Sequence, residues 1–203
     1  MKKIDIFPLL TLPRLEERKL AIKQNLVNVD QRDDFGKTPL MKAREYEIIE
    51  VLLDAGADVN AQKDYQGVTP LMCAVQAPDK GFEVVTLLLE RGADPSLNSP
   101  MVLAERKYIT LLLSYGSDPN SRRHSDGTTM LITSIHRHSY DDIKTLLENK
   151  ADPNIRNNKG ETALSKAKEG LIRAQARYQN GNSRWLQYWE DVIALLKEYG
   201  ATE

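Results

Sequence analysis

The fold is decided by the stretch Leu87-Leu88-Leu89-Glu90-Arg91-Gly92-Ala93-Asp94, because its pattern recurs along the chain. The Gly-Ala-Asp triplet, or a degraded copy of it, opens at residues 56, 92, 116, 150 and 200. An apolar run with helical spacing precedes every copy. Such self-similarity is typical of repeat arrays, in which each repeat packs on its neighbours and the row of repeats forms an extended binding surface. The pattern therefore favours binding over catalysis.

A second pattern, a tight turn followed by a helix start, lies ahead of the helical runs. Its clearest copy is Asp33-Asp34-Phe35-Gly36-Lys37-Thr38-Pro39-Leu40, and other copies begin at Asp64, His124 and Asn157. Asp or Asn bonds to its own backbone in such a turn, and Gly supplies a positive φ. Thr can cap the helix that follows, and Pro suits its first position because it has no N–H to satisfy. Each repeat is therefore expected to hold a turn and two helices.

The two patterns, in this order, resemble the ankyrin repeat, whose period is about 33 residues. The resemblance covers residues 27–203. It implies an all-α fold, an ankyrin-repeat solenoid of stacked helix-turn-helix units with short β-hairpin fingers. We assign residues 1–32 to an N-terminal segment and a capping half-repeat. Five ankyrin-like repeats are predicted to follow, at 33–63, 64–97, 98–123, 124–156 and 157–203.

Two of these repeats depart from the period. The third is shortened and lacks the Asp-x-x-Gly turn, so we expect it to have lost its finger and to leave a notch in the row. The last repeat carries an insertion at 168–190, which contains both tryptophans of the chain. Trp185, Tyr188 and Trp189 stand at i, i+3 and i+4 and so share one helical face. The insertion is interpreted either as a C-terminal cap or as a partner-binding element.

Single-residue departures from the family pattern bear on stability. The family's histidine after Thr-Pro-Leu is replaced by Met41, Met72, Val102, Ile132 and Ser165. We expect apolar packing to replace the hydrogen bonds that the histidine would make. Lys150 stands at a helix end where other repeats have glycine, which adopts a left-handed conformation at little steric cost. Glycine in place of Lys150 is therefore expected to stabilise the protein, unless Asn149 is the left-handed residue.

The composition narrows the class of function. The net charge is −1 over 203 residues, whereas nucleic-acid and membrane-surface proteins need a concentrated basic field. Cys73 is the one cysteine of the chain, so a reducing compartment suits it. No apolar run is long enough to span a bilayer, and Asp5 and Pro8 interrupt the apolar start that would otherwise look like a signal peptide. We expect a cytoplasmic protein, monomeric when free, that binds a protein and neither nucleic acid nor membrane.

Few residues could carry catalysis. His136-x-His138 with Asp141 and Asp142 is the one cluster of ligand-type side chains, and it falls in an expected inter-helix loop, where polar side chains are usually solvated. The chain has no glycine-rich phosphate loop. We therefore predict no catalytic residue, no cofactor and no metal site. A metal-dependent enzyme that uses His136 and His138 is kept as an alternative.

The resemblance implies that a partner contacts the finger tips and the exposed side of the first helices. The matching positions, with the aromatics of the insertion added, are Asp34, Phe35, Lys37, Lys42, Arg44, Tyr65, Gln66, Val68, Gln76, Arg123, Asp126, His136, Arg137, Tyr178, Trp185, Tyr188 and Trp189. Phe35 and Tyr65 are expected to anchor the interface, because aromatic side chains bury much area for little lost rotamer freedom. The alternative is that they pack on the next finger.

A basic residue precedes each turn, and these residues are Arg32, Lys63, Arg123 and Arg156. They either steer an acidic partner or are solvated beside neighbouring carboxylates. The interpretation that results is a non-catalytic module that binds another protein on a concave face of fingers and first helices. A narrower alternative is a stoichiometric inhibitor or immunity protein that blocks a toxic enzyme, while an adaptor would instead bridge two partners.

Overall fold

The computed structural model describes residues 4–63, 67–77, 81–97, 100, 106–177 and 184–202. Eleven α-helices lie in these residues. The chain divides into two compact units, Met1–Leu111 and Leu112–Glu203. No helix in the described ranges combines the length and the apolar character that crossing a membrane requires.

The first unit consists of short helices packed in two layers. Its helices are α1 (Ile6–Leu10), α2 (Leu15–Lys23), α3 (Pro39–Lys42), α4 (Tyr46–Asp54), α5 (Pro70–Gln76) and α6 (Phe82–Glu90). A 3-10 helix, Arg106–Tyr108, leads into α7 (Ile109–Ser114). Helices α1, α3 and α5 pack in succession, and so do α2, α4 and α6. Fully buried side chains such as Ile49, Leu52 and Leu71 fill the space between the layers.

The second unit repeats this arrangement with longer final helices. It contains α8 (Met130–His136), α9 (Tyr140–Glu148), α10 (Ala163–Arg177) and α11 (Arg184–Glu198). Helix α8 packs on α10, and α9 packs on α11. Helices α10 and α11 have 15 residues each, whereas α9 has 9. The predicted insertion therefore extends the end of α10 and the start of α11, and residues 178–183 between them lie outside the described part.

The predicted side-chain bonds within the turns are present at Asp33, Asp126 and Asn157. The Asp33 carboxylate accepts hydrogen bonds from the backbone N–H groups of Phe35 (2.9 Å) and Lys37 (2.8 Å). Thr69 and Thr129 cap α5 and α8 through their side chains. Thr38 makes no such bond, and the helix that it precedes is a single turn of 4 residues. Antiparallel bridges Lys63–Val68 and Arg122–Thr129 form the bases of two fingers.

Three asparagine side chains link one repeat to the next within a unit. Asn60 donates to the Gly92 carbonyl (3.0 Å) and accepts from the Asp94 N–H (2.8 Å). Asn120 does the same with Lys150 and Asp152, and Asn154 with Gly200 and Thr202. Met41, Met72 and Ile132 are buried, as expected of apolar replacements for the family histidine. The sequence interpretation missed the polar links, which come from asparagines that follow the Gly-Ala-Asp triplet.

Arginine side chains donate hydrogen bonds to backbone carbonyls at the fingers. Arg32 donates to the carbonyls of Gly36 and Gln62, both at 2.9 Å, and Arg156 donates to the Gly160 carbonyl at 2.9 Å. At the finger that begins at His124, the equivalent arginine is Arg122 and not the expected Arg123. Arg122 donates to the Gly127 carbonyl of its own turn and to the Arg156 carbonyl at the next one. Arg123 pairs with Asp126 at 3.3 Å. The predicted basic row therefore has a structural role at Arg32 and Arg156, which neither of its two interpretations included.

We expect Lys150→Gly to raise the free energy of unfolding by about 1 kcal/mol, because a side chain in the left-handed region is strained. Lys150 has a φ of 70°, whereas Asn149 has a φ of −93°. Urea unfolding would measure the change. Asn149→Gly is the control, and it should destabilise, because it removes the bond from Asn149 to the Thr145 carbonyl (2.8 Å) and relieves no strain. An unchanged or lower stability of Lys150→Gly would contradict the prediction.

Candidate functional site

The first unit contains a cavity of about 600 Å³ at which four of the predicted contact residues meet. These residues are Lys37, Lys42, Arg44 and Gln76. They reach the cavity because α3 and α5 lie side by side, and the finger turn delivers Lys37 to the same edge. Helices α1 and α2 close the other side with Leu10 and Arg18. The first helices and the first finger therefore share one concave surface.

Ion pairs hold two basic residues of this cavity, Arg18 and Lys42, in place. The Arg18 side chain is 6% exposed, and its guanidinium binds Glu45 at 2.6 and 3.1 Å and the Leu10 carbonyl at 3.1 Å. The Lys42 ammonium lies 3.0 Å from the Asp33 carboxylate and 5.0 Å from the centre of the Phe7 ring. Both pairs involve a partly exposed partner, and so they fix geometry more than they add stability.

Asp33 joins the finger to the cavity. Burial alone would raise the pKa of its carboxyl group, but the hydrogen bond from Lys42 and the backbone bonds from Lys37 and Phe35 outweigh it and hold the pKa below its usual value. The carboxylate therefore stays ionised at neutral pH, and it binds the finger backbone and the Lys42 side chain together.

Among the large apolar residues that the structure describes, Phe35 is the most exposed, with 75% of its surface accessible to solvent. It lies at the finger tip, beside exposed Asp34 and two residues before Lys37. The alternative in which Phe35 packs on the next finger does not agree with this exposure. Val68, at the second finger, is half-buried. Tyr65 and Gln66 lie outside the described residues, as does Tyr178 in the second unit.

In the second unit, the aromatics of the insertion contact His138, which lies just after α8. The His138 ring centre lies 5.3 Å from that of Trp185 and 5.2 Å from that of Trp189, with nearly perpendicular planes. Tyr188 lies 6.2 Å from His138. His138 reaches this position from a backbone with φ 55°, between α8 and α9. We call His138, Trp185, Tyr188 and Trp189 the aromatic cluster.

The members of the aromatic cluster differ in exposure. Trp189 is 6% exposed, and its ring lies against Gly170 of α10 so closely that a Cβ there would come within 3.0 Å of three ring carbons. Burial raises the pKa of Tyr188 to about 12, and its hydroxyl has no hydrogen-bond partner among the described residues. Trp185 remains 45% exposed. Trp189 therefore packs the helix pair together, and Trp185 presents a ring to solvent.

A pocket of about 370 Å³ opens between α8, α10 and α11 beside this cluster. His136, His138, Trp185 and Trp189 contribute to its wall, together with charged residues of α10. Burial lowers the pKa of His136, and the nearby Lys166 ammonium lowers it further. The His136 imidazole is therefore neutral at neutral pH, so that it adds no charge to the pocket.

The predicted metal alternative has no ligand set in the described part of the chain. No group of three or more His, Cys, Asp or Glu side chains there lies close enough to hold a metal ion. The His138 ring packs instead on the two tryptophans. Exposed Arg137 lies beside these histidines, outside the residues that line the pocket.

Two family models match this chain, one for ankyrin repeats in 3 copies over residues 15–99 and one for ankyrin repeats in many copies over residues 112–167. The chain belongs to the ankyrin-repeat family. Among solved structures, the ankyrin repeat domain of Bcl-3, a member of the IkappaB protein family, is similar with a TM-score of 0.68 and 27% identity, over 94% of this chain and 81% of that one. The predicted family and the predicted ankyrin-repeat solenoid are both confirmed.

Two curated relatives match over more than two thirds of this chain. A putative ankyrin repeat protein of Acanthamoeba polyphaga mimivirus is 30% identical, over 74% of this chain and 40% of that protein. A putative ankyrin repeat protein of Rickettsia felis is 31% identical, over 72% of this chain and 54% of its own length. Across the first four curated relatives, the chain spans between 20% and 54% of their length.

Proposed function

We propose that this chain binds a partner protein through the first finger and the adjoining cavity of the first unit. Ankyrin repeats are protein-interaction modules, and the fold is in general a non-catalytic scaffold. The proposed surface consists of Phe35 at the finger tip and of Lys37, Lys42, Arg44 and Gln76 around the cavity. Binding is the whole of the proposed activity, without a chemical step.

The observation that carries the proposal is the exposure of Phe35, at 75%, on a finger whose backbone is held rigidly by Asp33. A phenylalanine on a fixed backbone has only two side-chain torsions to order when a partner covers its ring, and so it makes a good anchor. The cavity beside it offers cations with fixed positions, since Lys42 is bound to Asp33. An apolar anchor next to oriented polar groups is the usual composition of a protein interface.

Affinity capture with quantitative mass spectrometry would test the proposal in the native cell. We expect a partner that is recovered with the wild type and reduced about tenfold with Phe35→Ala, as for an aromatic anchor. Leu20→Ala is the matched control, because Leu20 is an apolar side chain of α2, 54% exposed, that does not line the cavity. Equal recovery with Phe35→Ala and wild type would refute the role of this finger.

The same capture separates the two narrower forms of the proposal. An inhibitor or immunity protein would be recovered with an enzyme, and that enzyme would lose activity in the complex and regain it with Phe35→Ala. An adaptor would be recovered with two proteins at once.

We also propose the cytoplasm as the compartment of this protein, since its one cysteine, Cys73, lies in the cavity wall, where a reducing environment preserves the thiol.

A further inference from the structure

The pocket of the second unit has two kinds of wall. One wall is aromatic, formed by His138, Trp185 and Trp189. The other is the α10 face that carries Lys166, Glu169 and Arg173, with Arg177 one turn further along. Three cations and one carboxylate line the pocket, and Glu161, outside the lining, pairs with Lys166 at 3.3 Å. With both carboxylates counted, and with His136 neutral, one net positive charge is left at the pocket. The pocket therefore combines an aromatic wall with a wall on α10 that carries a net positive charge, and we call the charged side chains of α10 the rim.

Different contacts fix the positions of the two walls. Trp189 packs against Gly170, so that the aromatic wall of the pocket cannot easily shift. Glu169 binds both Lys166 and Arg173, which keeps these two side chains extended along α10. Hydrogen bonding to Glu169 and Glu161 raises the pKa of Lys166, which therefore stays charged. The rim is thus preorganised before any ligand arrives, which lowers the entropic cost of binding.

We propose that this pocket binds an acidic segment of a partner protein and takes up one apolar or aromatic side chain of that segment. Its volume of about 370 Å³ lies at the small end of ligand pockets, for which about 300 to 1,000 Å³ is usual, and it suits a side chain better than a large cofactor. The exposed Trp185 ring would cover the inserted side chain. Carboxylates that flank this side chain would meet Arg173 and Arg177 at the rim.

This inference rests on the proposed function only in taking the ligand to be a protein, since the pocket and the Phe35 finger lie in different units. A single-stranded nucleic acid could also stack on Trp185. The net charge of −1 for the whole chain argues against it, because such binding depends on a wide basic field. An acidic peptide needs only the local cations of the rim.

Selection of short random peptides from a displayed library, with the full chain as bait, tests the proposal. We expect selected peptides to share carboxylates next to one apolar or aromatic residue. Fluorescence anisotropy of the best peptide should show affinity falling about tenfold with Trp185→Ala. Arg173→Glu should weaken it as well, and its side chain is 76% exposed, so that the fold should tolerate the change. Lys144→Glu, on exposed α9 surface away from the pocket, is the charge-matched control and should leave affinity unchanged.

Several outcomes would overturn the proposal: no selected peptide, peptides without acidic residues, or equal affinity for Trp185→Ala and wild type. Displacement of the peptide by an oligothymidylate that binds in a Trp185-dependent way would assign the pocket to nucleic acid instead. Phe35→Ala separates this proposal from the first one, because it should reduce capture of the cellular partner and leave the affinity for the selected peptide as it is.

Discussion

Gly170→Ala should lower the free energy of unfolding of the second unit by about 2 kcal/mol, although alanine is the better helix former by about 1 kcal/mol. Gly170 lies in the middle of α10, where glycine has no conformational advantage. It allows the Trp189 ring to lie directly on the helix backbone, and a Cβ would overlap three carbons of that ring. Because Trp189 is 6% exposed and packed, it cannot move aside without opening the core.

Urea unfolding followed by circular dichroism would measure this change, and tryptophan fluorescence would show whether the ring environment has altered. Gly81→Ala is the matched control. A Cβ at Gly81 would approach only the Glu83 carboxylate, the end of an exposed side chain that can turn away. Its effect should stay within about 0.5 kcal/mol. A Gly170→Ala protein as stable as the wild type would mean that Trp189 does not rest on α10.

Asn60→Ala should lower the free energy of unfolding of the first unit by about 1 to 2 kcal/mol, because the Gly92 carbonyl and the Asp94 N–H both lose their partner. Water can reach part of this site, which keeps the loss below the full cost of two buried orphan groups. Native-state hydrogen exchange gives the sharper readout, since the Asp94 amide should exchange faster.

Asn149→Ala is the control for Asn60→Ala. Among the described residues, the Asn149 side chain bonds to the Thr145 carbonyl alone, one turn away in its own helix. Its loss should change stability by no more than about 0.5 kcal/mol. Similar losses for both variants would indicate that the links between repeats add nothing beyond local bonding.

Features that depend on a few neighbouring residues could be predicted from the sequence. The turn at Asp33 and the cap at Thr69 are determined by side chains that bond within four residues. The left-handed conformation of Lys150 follows from the register of its triplet with four others, each of which opens on a glycine with positive φ. The helix pairs and the family follow in turn from the repetition of these local signals, because the same short pattern must fold in the same way each time.

Features that depend on distant contacts could not be predicted in this way. The helical spacing placed Trp185, Tyr188 and Trp189 on one face. It could not predict that Gly170 leaves room for the Trp189 ring to be buried while Trp185 stays exposed. Nor could it show that His138 turns toward these rings, since that depends on a positive φ between two helices. Charge counts alone also concealed that Arg32 and Arg156 bond to backbone carbonyls.

The asparagine links give a direction to the three repeats that carry Asn60, Asn120 and Asn154, and each of these repeats can be treated as a cassette. Each asparagine serves the repeat that follows it, so that its amide matches one donor and one acceptor at a fixed position on the next cassette. Whole cassettes could thus be exchanged by recombination or by design, provided that the cut falls between one asparagine and the turn after it. Each such cut passes between an amide and its backbone partners, so that the link forms again only where the repeat before the exchanged one supplies an asparagine at the matching position.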